Sequence, residues 1–479
     1  MLSFIDLIVI LLYFLVLCWV GYYFLKKPKK NQDFFKGGKR IPAWAAGLSI
    51  FGTALSPITF IAVPAKTFSS DWSYFFLNIS ILLVAPIIIL FFIPLYRSLG
   101  ITSVYEYLEK RFNNSIRLIG SVVFLIFQIG RMGIVLFLPA IALNLVSGNI
   151  NIFSSILLMG VISLIYTLMG GIEAVIWTDV IQVIILLGGA LLSLILIVTN
   201  INGGISEIIE TGVIDQKFNI VDQRWSLDQP TFWVVIIGGF FANLTTYGTD
   251  QTIVQRYLVT KSKKQAIKGV WINALISIPA TLIFFFLGTA LFVFFKNFPN
   301  ELNNNFITND AIFPWFIVSQ LPSGVSGVLI AAIFAAAMSS LSSSMNAAAA
   351  SYVVDIHPHF NSKKIINNLK VSRYATLIFG GLGILFALFL VTTHTKSLWD
   401  EFQRVLGLVI GNLGGVFLLG IMTKKANSNG VLVGIIVSFS IQILFGYLEV
   451  IHLILFSATG VISCFIFGYL ASLLFEKKI

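Results

Sequence analysis

From residue 4 to residue 475 the sequence is a succession of apolar runs separated by short polar stretches, and nothing else constrains its fold as tightly. A helix that crosses a bilayer needs about 20 mostly apolar residues. Thirteen runs qualify, at 4–25, 42–66, 72–97, 116–147, 154–169, 174–199, 230–254, 267–295, 323–354, 372–393, 403–423, 428–447 and 450–475. Inside hydrocarbon a backbone must satisfy its own hydrogen bonds, so such runs become helices. The expectation is an all-α polytopic membrane protein whose residues 1–479 form a single transmembrane domain. Hydrophobic residues make up 57 % and charged residues 11 %, which leaves no room for a soluble domain. The first run is too long for a signal-peptide core and lacks a small-residue cleavage site, so it reads as a retained helix. Cys18 and Cys464 lie in opposite terminal runs and form no disulfide or metal pattern.

The net charge of +11 is distributed as topology information and does not form a nucleic-acid patch. One alternating set of loops, 26–40, 97–117, 256–268, 363–373, 424–425 and 477–478, holds 24 of the 31 Lys and Arg residues. The other set holds Lys66, Lys217, Arg224, Lys296, Lys396 and Arg404, and Arg131 lies inside a run. The positive-inside rule then puts the amino terminus outside and the carboxyl terminus in the cytoplasm. The longest outward loops, 200–229 and 297–323, fit lids and plain connectors equally well.

Residues 331–355 read AAIFAAAMSSLSSSMNAAAASYVVD. Ser339, Ser342, Ser343 and Asn346 fall on one helical face. Such a face suits close backbone packing between membrane helices, or the supply of oxygens to a small hard cation. The second run, IPAWAAGLSIFGTALSPITFIAVPA, has Gly52 and Pro57 near its middle, where Pro removes a donor and disfavours helix before it. Five runs later, 238–250 is again interrupted by Gly and polar residues. Broken spans at matching places in two halves point to a transporter site at the midplane. Five is odd, so the two units, at 42–200 and 230–423, would be inverted repeats. Residues 1–41 then add a first helix and a basic loop, and 428–479 two peripheral helices.

Three places carry chemistry. Arg131, in FQIGRMGIVLF, sits deep in a span at a cost of roughly 2.5–3.5 kcal/mol, so it needs an anionic partner. Its fork suits a substrate carboxylate. The alternative is a structural ion pair, with Asp179 as partner. Asp179 beside the serine face would give a sodium site, because a hard cation takes oxygen ligands. Backbone freed at 52–55 exposes carbonyls, with the hydroxyls of Ser56 and Thr59 beside them.

The GG-x-x-AV-x-x-TD-x-x-Q stretch at 170–182 and A-x-x-SS-x-SS at 336–343 resemble the sodium/solute symporter family of the sodium/glucose-cotransporter type, over the whole chain. ALSPITF at 54–60, together with Arg131, further resembles its bacterial sialic acid branch. The resemblance implies a LeuT-like core of five plus five inverted helices and an importer in the cell membrane. It implies a first sodium on the carbonyls of Gly52, Leu55 and Ala336 and the hydroxyls of Ser339 and Ser340. A second sodium would use Asp179, Ser342 and Ser343. Sialic acid would meet Ser56, Thr59, Asn78 and Arg131, with Tyr74, Asn243 and Tyr247 as further contacts. Ala54 stands where that branch can carry a hydroxyl, and Asn78 where a longer amide is expected. The expected function is sodium-coupled symport of an anionic sugar across a lipid bilayer, with no obligate protein partner and no enzyme chemistry. Rivals are a same-family importer of proline, pantothenate or a neutral sugar, and an ion channel. No filter loop, catalytic cluster or output domain is visible to favour a channel, an enzyme or a sensor.

Overall fold

The computed structural model describes residues 3–26, 33–147, 151–302, 309–360, 369–392, 402–404 and 406–475. Of the basic residues sorted above, Lys27, Lys29, Lys30, Lys363, Lys364, Lys396, Lys477 and Lys478 lie outside them. The long helices are α1 (Phe4–Leu25), α2 (Ala43–Ala54), α3 (Ile58–Ser69), α4 (Phe75–Leu99), α5 (Asn114–Ser147), α6 (Ile152–Asn200), α7 (Phe232–Thr249) and α8 (Gln251–Leu258). They are followed by α9 (Lys263–Asn297), α10 (Val325–Phe360), α11 (Leu369–Val391), α12 (Phe402–Met422), α13 (Ser428–Leu448) and α14 (Leu455–Leu474). Among the described residues, eleven helices are long and apolar enough to cross a membrane, or twelve when α2 and α3 count as one bent span.

The outer faces stay apolar. Leu11, Leu90, Phe91, Ile126, Ile184, Leu385 and Leu444 are all exposed, as lipid-facing positions require. The helix at the centre is α10, whose residues from Leu329 to Ser351 are buried throughout. Its small side chains let α6 and α5 lie close along it. Its amino end is fixed by α1, because Asp6 Oδ1 accepts from the backbone N–H groups of Gly324 (2.7 Å) and Gly327 (2.8 Å). Those donors belong to a helix start, where N–H groups lack partners within the helix.

The structure refines the sequence reading at two breaks and in two loops. The runs at 154–169 and 174–199 join in α6, interrupted only at Gly171 (φ 58°, ψ −156°). In the run at 230–254 the interruption falls at the last residue of the 238–250 stretch. Helix α7 continues to Thr249, and the break is Asp250 (φ −77°, ψ 118°), because its carboxylate caps α8 by accepting from Thr252 N–H. Each of the long loops at 200–229 and 297–323 carries a helix of its own, Gly204–Ile214 and Ile312–Gln320.

The break at Gly171 demands glycine on two counts. Its positive φ with ψ near −156° is a region open essentially to glycine, costing another residue about 1–3 kcal/mol, and an added Cβ would lie 2.7 Å from the Phe34 carbonyl oxygen. Gly188, on the same element, has open space around it. Thermal unfolding of the purified protein should therefore show Gly171→Ala markedly destabilised and Gly188→Ala unchanged or slightly more stable. Equal melting temperatures for the two variants would contradict the strain argument.

Candidate functional site

Helix α2 stops because Pro57 has no N–H to continue it. Leu55 is extended (φ −82°, ψ 106°), and α3 leaves at 65° to α2. Pro57 stands four residues after Thr53, so the Thr53 carbonyl has no helical donor. Arg131 Nη2 takes it at 2.7 Å, and Ser340 Oγ lies 3.4 Å from it. The Gly52 carbonyl is taken by Ser339 Oγ at 2.9 Å. Glycine at 52 lets α6 and α10 both close on this point, since a Cβ there would lie 2.7 Å from a Val183 methyl and 3.3 Å from Ser339 Oγ. The break and the serine face are thus in contact.

Ser339 Oγ also lies 3.0 Å from Asp179 Oδ1, which brings α6 to the same point. Asp179 and Arg131 are not partners, so the alternative pairing weighed from the sequence does not form. Arg256 Nη2 lies 3.0 Å from Asp179 Oδ2, and both side chains are fully buried. Ser49 Oγ bridges the pair, donating to Asp179 Oδ2 (2.5 Å) and accepting from Arg256 Nε (2.8 Å). Arg256 also donates to Ser343 Oγ (2.5 Å) and to the Thr252 carbonyl, and Thr53 Oγ1 lies 3.0 Å from Ser343 Oγ. Ser342 Oγ donates to the Ser339 carbonyl (3.1 Å). Asn346 accepts from Gln255 at 3.1 Å, so the serine face is polar along its length and fully enclosed.

Sorting the basic residues by loop puts Arg256 in a cytoplasmic loop, and the structure corrects this. Arg256 lies on α8, which folds back into the bundle with all eight of its residues buried. A short amphipathic stretch next to a basic loop looks like more loop. The available signal is pairing: Asp179 in a membrane span needs a cation, and assigning Arg131 to it leaves Asp250 alone.

Arg131 is 6 % exposed and pairs with Asp250 at 3.4 Å, and its Nε has no hydrogen-bond partner among the described residues. Both side chains line a cavity of about 170 Å³. Leu55, Ser56, Thr59, Asn78, Asn243 and Tyr247 line it too, on α3, α4 and α7 and on the break between α2 and α3. Tyr74 does not. It borders a smaller neighbouring cleft with Lys66 and Asp71, and its hydroxyl lies 3.4 Å from His452 Nε2. Sequence reasoning misses Ser49, Thr53 and Asp250 as well as Arg256. Ser49 and Thr53 fall on the face of α2 that carries Gly52, a spacing that the residue numbers alone display. The cavity thus sets hydroxyls, amides and one buried guanidinium around a broken helix, and the described residues contain no group of three His, Cys, Asp or Glu that could hold a metal.

Residues 34–438 match the model of the sodium:solute symporter family. The chain belongs to that family. This symporter is 39 % identical to the sodium/sialic acid symporter NanT of Aliivibrio fischeri, over 96 % of its own length and 91 % of the relative's. It is 40 % identical to the sodium/sialic acid symporter SiaT of Proteus mirabilis, over 99 % and 96 %. A solved structure of a substrate-bound, outward-open Na+-coupled sialic acid symporter superposes with a TM-score of 0.93 at 38 % identity, covering 99 % of this chain and 98 % of that one. The nucleobase-cation-symport-1 transporter Mhp1 shares the fold alone, with a TM-score of 0.60 at 15 % identity over 92 % and 93 % of the two chains. The protein is accordingly a sodium-coupled membrane symporter and not an enzyme.

Removing one partner of a fully buried ion pair leaves an uncompensated charge, at about 3–5 kcal/mol. Arg256→Ala should lower the unfolding temperature strongly, whereas Arg224→Ala, in the exposed pair with Asp222, should leave it unchanged. The double variant Asp179→Asn/Arg256→Gln should lose less than the two single changes summed. Additive losses in a thermal-shift cycle would refute the coupling of the pair.

Proposed function

We propose that this symporter imports a carboxylated sugar, sialic acid, together with sodium by alternating access. The observation that carries the reading is Arg131: a buried guanidinium beside the cavity whose Nε is unpartnered among the described residues, with Ser56, Thr59 and Asn78 sharing the cavity wall. A carboxylate is what a fork with a spare donor takes, and the hydroxyls and amides suit a polyol. The near full-length identity to two sodium/sialic acid symporters supports the same substrate. An unpaired donor of this kind has no use for a neutral sugar, which weighs against the rival solutes within the family.

Sodium has two candidate positions. The first lies at the break, on the carbonyls of Gly52, Leu55 and Ala336 with the hydroxyls of Ser339 and Ser340. The contact between Ser339 and the Gly52 carbonyl supports it. The second uses Asp179, Ser342 and Ser343. Arg256 and Ser49 hold Oδ2 of Asp179, which leaves Oδ1 on the Ser339 side for an ion. Ions at these positions tie α2, α6 and α10 together and so fix the wall of the cavity. Sodium then raises substrate affinity, and substrate raises sodium affinity by the same factor.

The break at Gly171 supports a count of thirteen spans. Helix α6 has 49 residues, roughly 74 Å at 1.5 Å per residue, more than twice the ~30 Å of a hydrocarbon core. Two spans on either side of Gly171, added to the other eleven with α2 and α3 as one, give thirteen. An odd count places the termini on opposite sides, amino outside and carboxyl inside. The two five-helix repeats, 42–200 and 230–423, would then be inverted, with the break at Leu55 in one and at Asp250 in the other.

Purified protein should bind sialic acid in sodium and fail to bind glucose, proline or pantothenate. Arg131→Lys, which keeps a positive charge facing Asp250 but loses the planar fork, should reduce sialic acid binding at least tenfold while the protein stays folded. Asp179→Asn and Ser342→Ala should each lower the Hill coefficient for sodium in proteoliposome uptake if both ligate one of two coupled ions. A panel in which a neutral sugar binds and sialic acid does not would overturn the substrate, and an unchanged sodium curve would remove both residues from the coordination shell.

A further inference from the structure

We propose that Asp250 makes binding of an acidic substrate depend on sodium, by cancelling the charge of Arg131 before the substrate arrives. The proposal rests on the reading that Arg131 receives the substrate carboxylate. Asp250 lies in the extended link between α7 and α8 and is 2 % exposed. Its Oδ1 accepts from Thr252 N (2.8 Å), Thr252 Oγ1 (2.6 Å) and Gln128 Nε2 (3.4 Å), and its Oδ2 from Arg131 Nη1 (3.4 Å). Four donors and no acceptor are what an ionised carboxylate requires, since in that form it can only accept.

Arg131 and Asp250 are the charged side chains among the described residues that line the cavity. Arg256, buried on α8, is taken up by Asp179. The wall is therefore neutral when the substrate arrives. A carboxylate that docks on Arg131 meets an ion pair and not a free cation, so the filled cavity carries one net negative charge. An unbalanced charge held away from water is unfavourable. The first sodium position is built from carbonyls and hydroxyls and brings no charge of its own. It adjoins Thr53, whose carbonyl is the acceptor for Arg131. One sodium there restores neutrality: Arg131 and sodium positive, Asp250 and substrate negative. Without the sodium the acid is disfavoured, and without the acid nothing in the cavity needs the sodium. The 3.4 Å separation of Asp250 from Arg131 leaves the pair chiefly electrostatic, with Nε still unpartnered.

Asp250 acts through Arg131 as a charge-balancing residue, and a merely structural role predicts something different. In D250N the amide keeps the size of the side chain and an acceptor for Thr252, but the wall gains a net positive charge. Sialic acid binding by calorimetry in choline buffer should tighten at least tenfold over wild type, within the usual 5–150-fold range of coupling. The ratio of Kd without sodium to Kd with sodium should shrink by the same factor, and proteoliposome uptake should become loosely coupled. An unchanged ratio, or equal loss of affinity in both buffers, overturns the inference. The wild-type protein supplies a second arm that does not depend on folding of the variant. The methyl ester of sialic acid, which carries no charge, should show a sodium ratio at least tenfold smaller than the acid, and equal ratios overturn the inference. Failure of the wild-type protein to bind the acid in sodium would overturn the substrate reading itself. Binding with an intact ratio in D250N would overturn this inference alone.

Discussion

One hydroxyl joins the parts of the molecule that matter. Ser339 Oγ touches the Gly52 carbonyl and the Asp179 carboxylate, so the broken end of α2, the middle of α6 and the central helix α10 meet at a single atom. Each contact follows from a different sequence cause. Pro57 ends α2, Gly52 admits the close approach, and the alanines of α10 keep bulk away from the junction. In a soluble core a hydroxyl here would be one hydrogen bond among many. In a membrane, polar backbone freed by a break must find a partner inside the protein, and Ser339 and Arg131 are those partners for Gly52 and Thr53.

The same rule explains the two buried ion pairs. Arg256–Asp179 meets α2 at Ser49 and Arg131–Asp250 meets it at Thr53, and each is reinforced by neutral donors or acceptors: Ser49 and Ser343 for the first, Thr252 and Gln128 for the second. Arg131 Nη2 and Ser340 approach the carbonyl of Thr53, while the Thr53 hydroxyl contacts Ser343. Through Thr53 the two pairs are therefore linked, and a displacement of the break is felt by both. Their charges cost too much to bury singly and are tolerated only as this linked set.

How much of this is legible in the sequence differs by element. Helical class is, because hydrocarbon thickness and backbone satisfaction leave few options, whereas the runs at 154–169 and 174–199 join in α6. The contact of Gly52 with the serine face is legible too, since Pro57 and the spacing of Ser339 and Ser343 state it locally. The pairing of charges is not. Nothing local tells Asp179 from Asp250 as the partner of Arg131; that choice depends on how α6, α7 and α8 pack. Arg256 is hidden for another reason. Eight residues of mixed polarity beside KSKK look like loop, and only the capping carboxylate of Asp250, by starting α8 at Gln251, turns them inward. Tyr74 falls outside the cavity because the short turn before α4 points its ring toward His452.

The cavity is not placed symmetrically along α4. Leu77 and Asn78 border it, while Tyr96 and Arg97 lie near the other end of that helix, about 27 Å away at 1.5 Å per residue. That other end is tied down. Tyr96 donates to the Gly248 carbonyl (2.5 Å), Arg97 to the carbonyl of Tyr257 (2.8 Å), and Asp355 on α10 accepts from Ser103 (2.5 Å) and pairs with Arg117 on α5 (2.9 Å). While the region is dry these bonds have no replacement, and breaking one exposes an unsatisfied group at about 1–3 kcal/mol. Once water enters, each is exchanged for a bond to water and its net worth drops to about 1 kcal/mol. A seal made of polar contacts is therefore firm when shut and weak once wetted, whereas an apolar seal of the same area would become less favourable on hydration. That difference makes the tie of α4 to α7 and α8 one that water can release.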